Sequence, residues 1–225
     1  MARGRGRWLG VGLSVALLGL AGAAEAPRVA AHRGGAQLWP ENSLLAFRNA
    51  LALGVDLVEA DVHLSADGEV IVLHDPTLDR TTTGRGAVGD LRLADLAAVR
   101  LRSAGGLPTD EPVPTLAALL DLLRPSPAGL LLEIKVGRGR ARYPGIEEKV
   151  LALVRGRGLT ARVRLMAFEE DTLRRLRELD PAAATVLLVG RGQMRRAGAT
   201  PAGSVAWATA VGARALGIDH RLLDG

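Results

Sequence analysis

The chain has 225 residues, a formal net charge of +5 and 48% hydrophobic residues, which suits one domain with a sizeable core. It contains no cysteine, which excludes disulfides and lipid attachment through a thiol. Its basic residues do not form a block interleaved with aromatic residues, so the sequence argues against nucleic acid as a partner.

Residues 1–26 have the pattern of a secretory signal. Three arginines precede an apolar run at residues 8–21, which is too short to span a bilayer comfortably. Ala24-Glu25-Ala26 fits a small-x-small cleavage site, and residues 21–23 fit one as well. We therefore expect a signal peptide at residues 1–26, a mature domain at residues 27–225, export to the periplasm or the medium, and no stable membrane insertion after cleavage. An uncleaved N-terminal anchor is the alternative.

Residues 29–75 predict a strand, a helix and a β-hairpin. A short apolar strand at residues 29–31 ends at His32-Arg33-Gly34-Gly35, and apolar residues at helical spacing follow up to Gly54. The next strand, at residues 55–64, carries Glu59, Asp61 and His63, which share one face because side chains alternate along a strand. Asp67-Gly68 predicts a turn, and the return strand ends at His74-Asp75.

The rest of the chain alternates between strands and helices, which predicts a parallel sheet covered by helices. Residues 76–114 break this rhythm and predict an excursion beyond the end of the sheet. The loop predicted from Gly190 to Pro201 contains Arg191, Arg195 and Arg196, which we interpret as a solvated loop rather than a lipid-headgroup patch. Six parallel strands are predicted to begin at Val29, Val55, Gly129, Arg162, Thr185 and Ala215.

Seven short motifs in one order carry a resemblance to the glycerophosphodiester phosphodiesterase family. They are His32-Arg33-Gly34, Pro40-Glu41-Asn42-Ser43, Glu59-x-Asp61, Asp67-Gly68, His74-Asp75, Arg80-Thr81-Thr82 and Glu133-Ile134-Lys135. The resemblance covers roughly residues 28–220. It implies a TIM-type (β/α) barrel and metal-dependent hydrolysis of small glycerophosphodiesters to glycerol 3-phosphate and an alcohol.

The resemblance also implies how the site residues divide their work. Glu59, Asp61 and Glu133 would hold a divalent cation, Ca²⁺ or Mg²⁺, because converging carboxylates repel one another unless a hard cation neutralises them. An isolated Glu-x-Asp would more often be a salt-bridge partner, and the motif set reverses that preference. Glu41 and Asn42 could support the metal ligands, although Glu41 could equally be a helix-entry acid.

His32 and His74 would form the acid–base pair, because the unperturbed pKa of histidine suits proton transfer near neutral pH. Arg33 and Lys135 would bind the phosphoryl oxygens. His63 is expected not to be a ligand, and His220 is expected to be incidental. The resemblance leaves open which histidine is the acid, and whether water or a neighbouring glycerol hydroxyl attacks.

A complete barrel of this type has eight strands, whereas six are predicted here. We therefore expect an incomplete barrel, a C-terminally truncated domain, apolar inner surface left wet, and self-association through the open edges. Two alternative functions remain open. One is a related lipid phosphodiesterase of the lysophospholipase D or sphingomyelinase D type, which shares the histidine and Glu-x-Asp framework. The other, favoured by the missing strands, is an inactive barrel that at most binds ligand.

Overall fold

The computed structural model describes residues 27–197 and 200–223. The predicted signal segment, residues 1–26, lies outside the described residues. Within the described residues, no helix has the length and apolar character needed to cross a membrane. The strands and helices, in chain order, are β1 (Ala30–Ala31), α1 (Leu44–Ala52), β2 (Leu57–Leu64), β3 (Val70–Val72), α2 (Leu93–Leu96), β4 (Arg100–Arg102), β5 (Pro108–Pro112), α3 (Leu116–Leu123), β6 (Gly129–Ile134), α4 (Ile146–Gly156), β7 (Val163–Ala167), α5 (Glu170–Leu179), β8 (Thr185–Val189), α6 (Arg191–Ala197), α7 (Pro201–Ala210) and β9 (Ala215–Ile218).

Six strands form one curled parallel sheet in the order β1-β2-β6-β7-β8-β9, and β3 pairs antiparallel with β2. Within the described residues, β1 pairs only with β2 and β9 pairs only with β8, so the sheet is an open barrel. The incomplete TIM-type barrel predicted from the sequence is confirmed, including the gap beside the first strand.

The sheet buries apolar residues on both faces, as parallel strands covered by helices require. Val58, Leu132 and Leu165 belong to the outer core beneath the helices. The inner cluster consists of Leu57, Leu131, Met166, Val186 and Leu188, all at most 8% exposed. The expectation of wet apolar inner surface was therefore largely wrong. Its physical reason is size: the partly buried inward-facing residues at the two open edges, Ala30 and Ala215, are small.

Two segments differ from the sequence expectations. The excursion at residues 76–114 contains a two-stranded sheet, β4 with β5, over its own apolar cluster, which includes Leu78, Leu96 and Leu101. The prediction of a loop from Gly190 to Pro201 was wrong, because α6 forms there and buries Met194. Arg191 and Arg195 are exposed on α6. The side chain of Arg196 lies outside the described part of the chain.

Candidate active site

Three acidic side chains meet at the carboxyl ends of β2 and β6. Glu59 and Asp61 lie on the inward face of β2, and Glu133 is paired directly opposite Asp61 on the adjacent strand. One carboxylate oxygen from each of the three lies within 4.8 Å of the others, and all three residues are buried. The alternation of β2 creates this arrangement, because Val58, Ala60 and Val62 occupy the opposite face in the outer core.

Two cationic side chains border the acidic group. Lys135 Nζ lies 2.7 Å from Glu133 Oε1 and 3.4 Å from Asp61 Oδ1. Arg33 Nε lies 3.5 Å from Asp61 Oδ2, and the Arg33 backbone N–H donates to Glu59 Oε2 at 2.7 Å. Two positive charges therefore lie within ion-pairing distance of the acidic group.

Burial dominates the titration of these groups. It raises the pKa of Glu59 well above its ordinary value, with the neighbouring Asp61 charge acting in the same direction. Burial and Asp61 likewise raise the pKa of Glu133 to about 7, against the influence of Lys135. Burial would also raise the pKa of Asp61, but Lys135, His74 and Arg33 outweigh it and hold that pKa low. Glu59 and Glu133 therefore ionise less readily than free glutamate does, and Asp61 ionises more readily than free aspartate.

The acidic group fits a divalent cation. Its ligand atoms are carboxylate oxygens, which hard cations such as Ca²⁺ and Mg²⁺ prefer. Asp61 Oδ1 is buried and accepts no hydrogen bond, so it has a lone pair available for a ligand. Asn42 fixes the other oxygen, donating from Nδ2 to Asp61 Oδ2 at 3.0 Å. Glu59, Asp61 and Glu133 are therefore the residues that could hold the metal.

Two histidines stand at this end of the sheet. His32 follows β1, and its Nε2 lies 3.9 Å from Glu59 Oε2. His74 follows β3, and its Nδ1 lies 2.7 Å from Asp75 Oδ1. Burial lowers the pKa of both rings, helped by Arg33 at His32 and opposed by Asp61 at His74. Both rings therefore favour the neutral form more than free histidine does, which leaves them able to accept a proton near neutral pH.

A chain of ion pairs, which the sequence did not predict, connects His74 to the loop between β1 and α1. Arg80 donates to both carboxylate oxygens of Asp75 and, on its other side, to both oxygens of Glu41. Glu41 also accepts from Arg33 at 3.0 Å. Burial would raise the pKa of Glu41, but its bonds to Arg80 and Arg33 hold it low. Glu41 lies in this chain, outside the group of acids that could bind a metal. In the sequence, the Arg80-Thr81-Thr82 motif was the feature that could have indicated a role for Arg80.

The two remaining histidines lie in different surroundings. His63 is fully buried, and its ring nitrogens contact the Tyr143 hydroxyl and the His74 carbonyl rather than the acidic group. Burial lowers its pKa to about 4, despite the favourable bond to the His74 carbonyl. His220 lies beyond β9 with its side chain 45% exposed, and Asp219 is 3.9 Å away. Tyr143 was missed because one tyrosine in a loop gives no sequence signal.

A cavity of about 380 Å³ opens beside His74, Glu133 and Lys135. The loop at residues 136–140 forms one wall, and Phe168, Glu169 and Gln193 also line it. A larger cavity of about 590 Å³ shares Arg140, Phe168, Glu169 and Gln193 with the first and extends to Trp207. The acidic group thus adjoins a space large enough for a small organic phosphate.

The sequence and the fold match known proteins. Residues 32–223 match the model of the glycerophosphoryl diester phosphodiesterase family. A glycerophosphodiester phosphodiesterase of Caldanaerobacter subterraneus subsp. tengcongensis is 36% identical over 68% of this chain and 63% of its own length. One of Bacillus subtilis is 33% identical over 73% of this chain and 60% of its own length. The chain therefore spans less than two thirds of these relatives.

Solved structures agree with this match. The glycerophosphodiester phosphodiesterase of Agrobacterium tumefaciens superimposes with a TM-score of 0.63 at 29% identity, covering 83% of this chain and 84% of that one. A phosphodiesterase of Oleispira antarctica, solved with the product sn-glycerol-3-phosphate, shares the fold with a TM-score of 0.61 at 24% identity, covering 88% and 97% of the two chains. The motif set, the open barrel and these matches show that the chain belongs to the glycerophosphoryl diester phosphodiesterase family.

Proposed function

We propose that the chain hydrolyses glycerophosphodiesters to glycerol 3-phosphate and an alcohol, in a reaction that depends on a divalent cation. The observation that carries the proposal is the buried triad of Glu59, Asp61 and Glu133, flanked by two histidines and bordered by a cavity. The family match and the activity named for its relatives support the same reaction class.

The chain's own residues suit each task of this reaction. Arg33 and Lys135 would bind and orient the phosphoryl oxygens, Arg33 through its planar fork and Lys135 as a point charge. Glu59, Asp61 and Glu133 would hold Ca²⁺ or Mg²⁺. When bound, the cation would neutralise charge on the phosphoryl group and on the carboxylates.

Proton transfer falls to His32 and His74 in this proposal. One ring takes a proton from the attacking hydroxyl, and the other gives a proton to the leaving oxygen as its bond to phosphorus breaks. Asp75 accepts from His74 Nδ1, which keeps that nitrogen protonated and leaves Nε2 for the reaction. The attacking hydroxyl belongs either to water or to the glycerol carbon next to the ester. The second route passes through a cyclic phosphate, which phosphorus NMR detects.

The test uses the purified chain with glycerophosphocholine and an enzymatic assay for glycerol 3-phosphate. We expect product release that a chelator abolishes and that added Ca²⁺ or Mg²⁺ restores. Activity undiminished by the chelator would remove the metal role assigned to Glu59, Asp61 and Glu133. Release of free glycerol in place of glycerol 3-phosphate would mean cleavage of the other ester bond, and so a different reaction.

We also propose that the protein is exported and cleaved near Ala26, on the sequence pattern of residues 1–26 alone. N-terminal sequencing of the protein from the periplasm or medium of an expressing bacterium tests this. A mature N-terminus near Pro27 is expected, and a full-length protein retained in the membrane fraction would favour the uncleaved anchor.

A further inference from the structure

Buried His63 and partly exposed Tyr143 form a contact beside the candidate active site that the proposed chemistry leaves unused. His63 lies on β2, and its Nε2 is 3.1 Å from the backbone carbonyl oxygen of His74. Its Nδ1 is 3.0 Å from the hydroxyl of Tyr143, which belongs to the loop between β6 and α4. His63 therefore touches both the segment that carries His74 and the loop that lines the cavity.

The chemistry of the partners fixes the direction of these hydrogen bonds. A carbonyl oxygen can only accept, so His63 Nε2 must carry a hydrogen and donate to His74. In a neutral ring the other nitrogen is then an acceptor, and the Tyr143 hydroxyl donates to it. The hydrogen bonds consequently run in one direction, from Tyr143 through His63 to the backbone of His74.

Two glycines flank Tyr143 closely, and a side chain at either position would crowd its ring. A Cβ atom placed on Gly89 would lie 3.1 Å from the tyrosine ring, and one placed on Gly137 would lie 3.2 Å from its Cζ and hydroxyl. The ring meets the His63 imidazole edge to face, with 5.7 Å between the ring centroids. Tyr143 thus ties the β6–α4 loop to β2 and to the excursion that contains Gly89.

The contact between His63 and Tyr143 joins two segments that line the cavity. Residues 136–140 of the same loop form one wall of the 380 Å³ cavity, and His74 lines it as well. We infer that His63 and Tyr143 are positioning residues, which set the place of His74 relative to this wall. The inference rests on the proposed function, because it assigns His74 a part in the reaction.

The kinetic test compares Tyr143→Phe, His63→Leu and His63→Gln. His63→Leu removes both hydrogen bonds, and we expect kcat per folded protein to fall about 10–100-fold, since a 1 Å misplacement can cost about 100-fold. KM and the metal requirement should change little, because Arg33, Lys135 and the acidic triad are untouched. His63→Gln should restore much of kcat, because its amide can donate to the His74 carbonyl.

Tyr143→Phe removes one hydroxyl and should lower kcat less than His63→Leu does. The double variant should be no worse than His63→Leu alone, because residues that act in one chain give non-additive effects. Leu173→Ala in the outer core is the stability control: it should lower the free energy of unfolding and leave kcat per folded protein unchanged. A loss in His63→Leu that follows only its folded fraction, as in this control, would overturn the inference.

A second measurement needs no catalytic activity. The chain has four histidines and one tyrosine, so ¹⁵N-histidine and ¹³C-tyrosine labels give signals that can be assigned. The His63 signals should show hydrogen on Nε2 at neutral pH, and Tyr143→Phe should move its Nδ1 signal. Hydrogen on Nδ1 instead would overturn the inference. If the unaltered chain cleaved no glycerophosphodiester, the proposed function and the positioning role would both fall, whereas these signals would still establish or refute the hydrogen bonds.

Discussion

His32 and His74 carry the proton transfers in the proposed reaction, and each can be removed without disturbing the core. Their side chains are 41% and 30% exposed at the ends of short strands. We expect His32→Ala and His74→Ala each to lower kcat about 10²–10⁴-fold, the usual effect of losing a general acid or base. His220→Ala is the matched control and should retain full activity. Unfolding of both variants, with the active fraction unimpaired, would instead assign the two histidines a structural role.

Glu133 should make the metal-free protein less stable as the pH rises. Burial and Asp61 raise its pKa to about 7, so the folded state keeps this proton to a higher pH than the unfolded chain does. A group with a raised pKa in the folded state loses its stabilising contribution as the pH passes through that pKa. Buried His63, whose pKa is lowered to about 4, acts in the opposite direction, since its contribution grows as the pH rises towards 6.5.

Above pH 6.5 the histidines still contribute, because those of the unfolded chain titrate near 6.5, so comparison with a Glu133 variant is needed to separate this carboxyl group. In chelator, the free energy of unfolding should fall by about 1 kcal/mol between pH 6.5 and 8 through Glu133. Urea unfolding of Glu133→Gln at both pH values is the control, and it should show a smaller decrease. Saturating Ca²⁺ or Mg²⁺ should stabilise the protein more at pH 8 than at pH 6.5, because binding needs the ionised carboxylates. Equal pH dependence of the original chain and the Gln variant would contradict this.

Among the elements, the connection between β1 and α1 couples backbone shape to the acidic site. Asn42 has a φ of 59° and is fully buried, and its amide donates to Asp61 Oδ2 at 3.0 Å. Asparagine tolerates the left-handed region better than most residues. Ser43, the next residue, caps α1 by accepting from the backbone N–H of Ala46. One turn thus starts the helix and holds a metal-ligand candidate on the neighbouring strand.

Paired substitutions at Asn42 separate these two contributions. Asn42→Ala should destabilise the fold by about 2–4 kcal/mol, through the lost bond to a charged group and the left-handed backbone. Asn42→Gly loses only the bond and should be about 1 kcal/mol more stable than the alanine variant. Both should weaken metal binding about 10–100-fold in calorimetry, as loss of a residue that orients a ligand does. Equal stability of the two variants would argue against backbone strain at this position.

The sequence predicted the elements that bury a regular apolar pattern and missed those that do not. The predicted starts of β6 and β8 agree with the structure to the residue, because each strand is a near-continuous apolar run. The strands β4 and β5 are short, and side-chain bonds to the backbone support them, such as Arg102 Nε to the Thr82 carbonyl. Helix α6 buries a single large apolar residue, Met194, which is too little for a periodic signal.

The same limit on prediction from the sequence applies to the residues of the candidate active site. Strand alternation predicted that Glu59 and Asp61 share one face, and the family resemblance added Glu133, which the sheet pairs with Asp61. The partners of His63 could not be predicted in that way. Tyr143 reaches it from 80 residues further along the chain, and this meeting depends on how the β6–α4 loop folds back. Local patterns therefore identify groups on strands, whereas contacts made by loops require the tertiary structure.

For the whole molecule, the open sheet leaves backbone hydrogen-bonding groups free at two edges of the described residues. β1 has a partner on one side only, and so has β9. Val29 before β1 and Leu223 after β9 are exposed as well, so both backbone and apolar groups at the edges are accessible to another strand. We propose that copies of this chain associate through the edges, in the manner of strand addition.

Sedimentation velocity at increasing protein concentration tests this association. The mass of the mature domain, residues 27–225, should rise above its monomer value as the concentration increases. Ala30→Lys places a charge on an edge strand and should shift the equilibrium towards monomer. Leu53→Lys, at an exposed position after α1, is the matched control and should leave the association unchanged. A strictly monomeric chain that unfolds cooperatively, with the melting behaviour of a complete barrel, would contradict the proposal.

The division of the cavity between two parts of the chain has a consequence for how substrate choice can change. The groups assigned to the reaction, together with their positioning residues, all lie between His32 and Tyr143, whereas the far wall comes from residues 168–207. Among the described ion pairs, Arg140 with Glu169 joins these two parts at the cavity. If the chain catalyses the proposed reaction, substitutions at Gln193 and Trp207 should therefore alter which alcohol the pocket accepts without rebuilding the hydrolytic centre. In evolutionary terms, the wall formed by residues 168–207 could vary in sequence while the residues assigned to hydrolysis stay the same. A combinatorial library confined to this wall should therefore yield variants with new headgroup preferences.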